Sequence, residues 1–352
     1  MHSNPKNSRN YGIEILRMIM AFFVIIEHFY KPKNNILQKI TIRLRFHVPT
    51  FLIISFYYLN NNLEKRKVDR IKERLKRLLI PYSVYPIIIY FVYNFLYIVF
   101  HLEELRRSLY QLKIQFIVGR LLCSVLWFQF NLILITILLY IIAFIFKSYY
   151  LPFLQILGIF SYFLQFSNIN YKYFTMYKDY IQYSVGYFAE TLPIAITGLC
   201  ISSIDIINIC KKKCFLNIIL HIFFLFILFK YKIFSPVKGF GKQGILYNLQ
   251  AVSFFMISSL IHLDNLNKKI LIFIKYLTSY TPGIYFLHLS VYVILKIKIS
   301  LIKNHTFLGS LLIYLISYLI SFIGYKYSKK NKNIYLFEII KLLYSKIIAN
   351  KI

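Results

Sequence analysis

Arg17 and His28 lie in one apolar segment, residues 11–30, and their spacing brings them to the same side of a helix. Eleven steps of 100° return a helix to within about 20° of its start, about 16 Å further along the axis. An arginine near a bilayer centre costs about 2.5–3.5 kcal/mol, and an imidazole exchanges protons near neutral pH. Glu14 shares this stripe and lowers the cost of Arg17 as an i,i+3 partner. The pattern predicts a proton-transfer site on this helix, whether or not Arg17 pairs with Glu14.

The composition is typical of a membrane protein. Hydrophobic residues make up 59% of the 352 residues, and the mean hydropathy is +0.60, whereas soluble domains are about 45–50% apolar. Runs of about twenty apolar residues, enough to cross a bilayer as a helix, recur along the chain. We therefore predict an all-α polytopic membrane protein with about ten transmembrane helices. The predicted spans are roughly 12–30, 45–60, 79–100, 121–146, 150–167, 183–203, 215–231, 244–262, 272–297 and 308–327.

The basic loops predict the orientation. The strongest cluster of Lys and Arg lies in residues 64–77, and positively charged loops stay in the cytoplasm. This loop places the N-terminus in the cytoplasm and the protein in the cytoplasmic membrane as a multi-pass chain. We expect a membrane domain over residues 1–330 and a basic cytoplasmic tail over residues 331–352. The net charge of +31 then indicates anionic lipid headgroups as partners, and not nucleic acid.

Arginine is confined to the first 120 residues, where all 11 arginines lie, and the rest of the chain uses lysine. Guanidinium binds phosphate or carboxylate through two parallel hydrogen bonds, which lysine cannot do. A helix predicted over residues 63–79 carries Arg70, Arg74 and Arg77 on one face, where like charges repel. An anionic partner would relieve this repulsion. Lipid headgroups and a phosphorylated cofactor both fit the charge pattern.

Three features of the later spans bear on polar sites. The ninth predicted span is interrupted at residues 281–283 (Thr-Pro-Gly), and a broken backbone inside a membrane protein lines a cavity or packs against protein. Glu190 is an intramembrane carboxylate, which is costly enough to be a site candidate unless it lies at the interface. Cys210 and Cys214 have no histidine or acid beside them, so we expect no metal site.

Several segments resemble the integral-membrane acyltransferase 3 family, in the family's order along the chain. The family carries Arg-x10-His in its first helix, which Arg17 and His28 match. Phe56 stands where the family has glycine, and Leu289 stands where it has proline. The other matching segments are VPTFLIISFYYL (48–59), Arg-x-x-Arg-Leu-Leu-x-Pro-Tyr (74–82), LWF (126–128), ETLPIAITGLCI (190–201) and GIYFLHL (283–289).

The resemblance implies an acyltransferase that moves an acyl group, acetyl by expectation, from acyl-CoA to a hydroxyl of a cell-surface glycan or its lipid-linked precursor. It makes His28 and Arg17 the catalytic candidates. A histidine near pH 7 serves as general base or as transient acyl carrier, and both roles stay open. His288 would orient His28 or line the acceptor site, or be a packed polar residue.

The resemblance also implies a donor site. Arg17, Arg74 and Arg77 are candidates for the phosphates or the thioester carbonyl of acyl-CoA. Ser55 joins them as a cofactor-binding candidate, although a helical serine can also satisfy its own backbone. Acyl-CoA would be a donor substrate, and no cofactor would be bound permanently.

A glycan or lipid-intermediate transporter or flippase is the alternative, because intramembrane charges and a broken helix also suit that class. A transporter places charged groups in both halves of the chain, often with an internal repeat. Residues 121–352 hold few ionisable groups inside predicted spans, and no internal repeat is evident. The sequence therefore favours the enzyme.

Overall fold

The computed structural model describes residues 10–29, 46–65, 67–101, 103–119, 126–166, 180–204, 206–234, 240–261, 263, 266–298 and 306–330. Within these ranges the chain forms helices and turns and no strand. Single turns of 3-10 helix lie at Glu103–Leu105 and Lys147–Tyr149. The α-helices are α1 (Tyr11–Phe29), α2 (His47–Glu64), α3 (Val68–Phe100), α4 (Leu109–Val118), α5 (Leu126–Phe146), α6 (Tyr150–Phe166), α7 (Tyr180–Ser203), α8 (Ile206–Lys211), α9 (Cys214–Phe234), α10 (Phe240–Leu260), α11 (Lys268–Ser279), α12 (Thr281–Lys298) and α13 (Thr306–Lys330).

A helix covers the greater part of every predicted span, because long apolar runs leave the backbone no partner but itself in lipid. Helix α3 differs from the prediction in its bounds. We predicted a basic helix over residues 63–79 and a separate span over 79–100, whereas α3 continues through both, with Pro81 and Pro86 in its interior. Neither proline ends the helix. The basic tail predicted over residues 331–352 lies outside the described residues.

Three helical segments of the described chain are long and apolar enough to cross a membrane, namely Val68–Phe100, Leu126–Phe163 and Phe307–Gly324. The pair Lys268–Ser279 and Thr281–Leu295, bent by 45°, is a fourth if it forms one broken span. These apolar helices support the prediction that the chain is a membrane protein. The total of ten spans stays a prediction.

The predicted interruption near Pro282 is confirmed as the junction of α11 and α12. Tyr280 at this junction is buried and its ring meets the rings of Tyr318 and Phe322 on α13, at centroid distances of 5.4 and 5.6 Å. Gly283 lies against Ser321, where a larger residue would collide. The break thus packs against protein and sets the direction in which α12 approaches α1.

The first two helices run antiparallel. Glu27 near the end of α1 contacts His47 at the start of α2, whereas Tyr58 further along α2 lies within electrostatic reach of Glu14 and Arg17. Asn10 anchors the other end of α1, because its side chain accepts a hydrogen bond from the Ile13 amide and donates one to the Ser259 carbonyl of α10.

The core surrounds α2, and large apolar side chains also cover the outside of the bundle. Leu52, Ile53 and Phe56 on α2 are completely buried. On α9, by contrast, Phe215 is 79% exposed and Phe226 is 65% exposed. Exposed apolar side chains on this scale are expected where lipid, and not water, surrounds a helix.

Helices α2 and α7 approach closely because α7 carries glycine at the crossing. A Cβ atom on Gly198 would lie 2.7 Å from the Ile53 carbonyl oxygen, whereas one on Gly186 of the same helix would meet nothing within 4 Å. We therefore expect Gly198→Ala to cost about 1–3 kcal/mol through overpacking.

Gly186→Ala is the matched control, and its better helix propensity should be neutral or stabilising by up to about 1 kcal/mol. The measurement is the temperature at which half of the purified protein loses its monodisperse elution peak. Equal melting of both variants would show that the α2–α7 crossing does not depend on Gly198.

Candidate active site

Two histidines from different helices meet at the end of α1. The rings of His28 and His288 on α12 are 5.3 Å apart between centroids, with an angle of 35° between their planes. His28 is exposed, whereas His288 is completely buried. The two candidates that the sequence placed 260 residues apart are therefore brought together.

The buried histidine presents one nitrogen to the site. Its Nδ1 lies 3.3 Å from the carbonyl oxygen of Ile284. Because a carbonyl only accepts, this contact assigns the proton to Nδ1 and leaves Nε2 of neutral His288 as an acceptor. Within the described part of the chain, Nε2 is buried without a hydrogen-bond partner. A lone pair held in this way can receive a hydrogen from a neighbouring imidazole or from a bound substrate.

A third histidine, His47, and a carboxylate, Glu27, complete this end of the site, and the sequence analysis missed both. The Nε2 atom of His47 lies 2.7 Å from Oε2 of Glu27. Glu27 and His28 are neighbours in the chain, and neighbouring side chains of a helix point about 100° apart. Glu27 therefore lies off the helix face that carries Arg17 and His28. A signal existed, because Glu27 is a carboxylate inside an apolar span and His47 directly precedes the segment that begins at Val48.

Aromatic rings form a layer next to the histidines. Phe51, Phe128 and Tyr285, which we call the aromatic layer, lie 5.4–6.3 Å apart between ring centroids. Tyr285 also contacts the ring of His288 at 6.0 Å. Since Phe51 follows His47 by four residues on α2, the layer lies one helical turn below the histidines.

A partly buried guanidinium lies on the other side of the aromatic layer. Arg74 donates from Nε to Thr136 Oγ1 at 3.2 Å, and from its two terminal nitrogens to the carbonyl and hydroxyl oxygens of Ser55 at 3.3 and 2.7 Å. Its guanidinium also lies 5.3 Å from the centroid of the Phe56 ring. Ser55 is eight residues beyond His47, which corresponds to about 12 Å along α2.

This cation keeps binding capacity. Guanidinium has five N–H groups, and the three bonds to Ser55 and Thr136 use three of them. No carboxylate contacts Arg74 within the described ranges. A positive charge held by neutral oxygens is suited to an anionic ligand.

The other candidates lie apart from these two groups. Arg17 contacts both carboxylate oxygens of Glu14 at 3.3 Å, so the i,i+3 pair that the spacing allowed is present. Arg77 is exposed, although Arg74 one turn earlier faces inward. Glu190 is half-buried on α7, one turn beyond Tyr187, whose ring stacks on Trp127 at 4.2 Å.

An all-helical membrane protein with an accessible imidazole and a partly buried guanidinium has the groups that a group-transfer enzyme needs. The chain matches the family model of an acyltransferase domain over residues 10–326, and it belongs to the acyltransferase 3 family. It is an acyltransferase. The curated proteins and the solved structures give no match to the chain.

The hydroxyl of Thr136 is the partner whose removal isolates one N–H of Arg74. Thr136→Val keeps the side-chain shape but leaves the Nε–H group unpaired, which should destabilise the protein by about 1.5–3 kcal/mol. Thr136 also bonds the Leu132 carbonyl of its own helix. Thr50→Val is the matched control, because buried Thr50 makes the corresponding local bond, to the Phe46 carbonyl, and no other side-chain bond within the described residues.

Thermal unfolding of the two purified variants checks this expectation. A lower melting temperature for Thr136→Val than for Thr50→Val is the expected result. Equal melting temperatures would show that the bond to Arg74 contributes nothing to stability.

Proposed function

We propose that the protein transfers an acetyl group from acetyl-CoA to a hydroxyl of a cell-surface glycan or of its lipid-linked precursor. One observation carries the proposal: exposed His28 contacts buried His288, and on α2 the neighbouring His47 lies about 12 Å along the helix from Ser55, which binds a guanidinium suited to an anion. Family membership supplies the acyl-transfer reaction.

In this reaction His28 acts as general base. It takes the proton of the acceptor hydroxyl while the oxygen forms a bond to the acyl carbonyl carbon. The carbon–sulfur bond then breaks, and the departing thiolate takes the proton back from His28. Transient acylation of His28 itself is the variant route, in which the imidazole attacks the thioester first. His288, whose Nε2 accepts, orients His28 in both routes.

The donor enters on the side of the Arg74 site. The two N–H groups of Arg74 that remain beyond Ser55 and Thr136 bind a phosphate or the thioester carbonyl. Exposed Arg77 adds charge at the entrance. Arg17 is paired with Glu14. It stabilises negative charge at the end of α1 that lies opposite His28. Membrane lipids contact the apolar outer surface.

The proposed topology has ten spans and a cytoplasmic N-terminus in the cytoplasmic membrane. Arg74 lies six residues, or about 9 Å, into α3 from the turn after α2. The basic loop at this turn is the one that the positive-inside rule places in the cytoplasm, where acyl-CoA is made. His28 then lies toward the outer half, where an exported acceptor arrives.

Substitution of His28 tests the reaction. Purified protein with labelled acetyl-CoA and a glycan acceptor should transfer label, and His28→Ala should abolish transfer because it removes the proposed base. His221→Ala, on outward-facing α9, is the matched histidine control and should stay active. Transfer by His28→Ala at the wild-type rate would rule out His28 as base or acyl carrier.

Substitution of the arginines tests the donor site. Arg74→Ala should weaken coenzyme A binding about 10- to 100-fold, the value of charge-assisted hydrogen bonds, and exposed Arg77→Ala should weaken it less. Arg106→Ala, at the other end of α3 and stacked on Tyr97, should bind normally. The dissociation constant of coenzyme A for each purified variant is the measurement. If both Arg74→Ala and Arg77→Ala bind normally, the basic loop serves lipid headgroups alone.

A further inference from the structure

We propose that Glu27 and His47 form a positioning pair whose negative charge stabilises protonated His28 during acyl transfer. The inference rests on the proposed function, because it requires His28 to take up a proton. Neither Glu27 nor His47 is one of the positions at which the chain matches the motifs of its family.

The pair is built as a held carboxylate. His47 Nε2 lies 2.7 Å from Glu27 Oε2, and the His47 side chain is 3% exposed while that of Glu27 is 26% exposed. The distance is that of a charge-assisted hydrogen bond, in which the imidazole N–H donates to the carboxylate. Since Glu27 is on α1 and His47 is on α2, the crossing of the two helices fixes the position of the carboxylate.

The charge of the pair acts on His28. The titratable side chains facing this end of the site are Glu27 and His28 from α1, His47 from α2, and Tyr285 and His288 from α12. Glu27 is the one acid among them within the described ranges. A proton placed on His28 would otherwise add positive charge next to the buried imidazoles of His47 and His288, which is unfavourable at low dielectric.

The two proton transfers of the reaction require only that Glu27 keep its negative charge. The acceptor O–H bond breaks as the new O–C bond forms, and the proton moves to His28. The imidazolium is then paired with the Glu27 carboxylate, which keeps its charge and accepts no proton. When the C–S bond breaks, the thiolate takes the proton from His28. His47 holds Glu27 through its N–H group throughout, so the pair positions charge and never touches the reacting atoms.

A purely structural role predicts the opposite order of activities. If Glu27 only ties α1 to α2, Glu27→Gln preserves length and hydrogen bonding and should be harmless, whereas the shorter Glu27→Asp breaks the 2.7 Å contact. If the charge is what matters, Glu27→Asp keeps it and should be the more active of the two. The two substitutions therefore separate the two roles.

The assay is thiol release from acetyl-CoA by purified full-length protein in lipid nanodiscs, with the glycan acceptor of the transfer assay present. We expect Glu27→Gln to lower kcat about tenfold or more at an unchanged KM for acetyl-CoA, and Glu27→Asp to retain more of the wild-type kcat. Glu73→Gln is the matched control, because Glu73 forms an exposed pair with Arg70 at 3.3 Å, and its kcat should equal that of the wild type.

The outcomes are distinguishable. Wild-type kcat in Glu27→Gln, or a lower kcat in Glu27→Asp than in Glu27→Gln, overturns the positioning pair and leaves the proposed function standing. Absence of thiol release by the wild-type protein overturns the proposed function and the pair with it. If Glu27→Gln does not fold, His47→Leu is the variant that tests the pair. It removes the imidazole N–H group that donates to the Glu27 carboxylate. A fall in kcat at constant KM is expected there, and a wild-type kcat overturns the proposal.

Discussion

The antiparallel contact between α1 and α2 determines where every candidate group of this protein lies. Glu27 meets His47 at one end of the contact, and Tyr58 faces Glu14 and Arg17 at the other. Once this register is set, helical geometry places Phe51 and Ser55 at successive turns below His47. The α12 helix, which α13 and the Tyr280 junction direct toward α1, then needs only to bring His288 against His28.

Burial of a polar group inside an apolar bundle is costly unless the group has a partner, and this cost favours the grouping of Arg74 and of the histidines into two separated sets. Arg74 is held by two oxygens of Ser55 and one of Thr136, while the histidines are held by Glu27 and by the backbone of α12. The aromatic layer between the sets is free of charge. Phe128 and Tyr285 of this layer are buried, so the dielectric between the two sets is low.

Sequence periodicity predicted the contacts that form within one helix and missed the contacts that form between two helices. The apolar runs located the helices, and the i,i+3 spacing predicted the Arg17–Glu14 pair, which the structure contains. Periodicity put Arg74 and Arg77 on one face, yet only Arg74 turns inward, because Ser55 of α2 and Thr136 of α5 supply oxygens to it. Whether Glu27 meets a partner depends on the position of α2.

Sequence patterns likewise did not predict the length of α3. Charge and hydropathy change abruptly near residue 79, and this change indicated two elements. Backbone hydrogen bonding does not depend on that change, so the helix continues while its surroundings alter from polar to apolar. The extra length has a consequence for the site, because a single rigid helix carries Arg74 at one level and Tyr85, which hydrogen-bonds Ser290 of α12 at 2.9 Å, at another.

The architecture suits transfer better than transport. A transporter must pass its whole substrate across the level of the aromatic layer, whereas an acyltransferase needs only the thin acyl-bearing arm of a donor to pass. Ring centroids 5.4–6.3 Å apart are in van der Waals contact, so these three rings leave no gap between them that a saccharide could pass. An arm one chain wide can separate such rings by small rotations, since aromatic side chains have only two torsions to adjust. In the proposed reaction, the layer would separate the acceptor from the donor while the acyl group alone crosses between them.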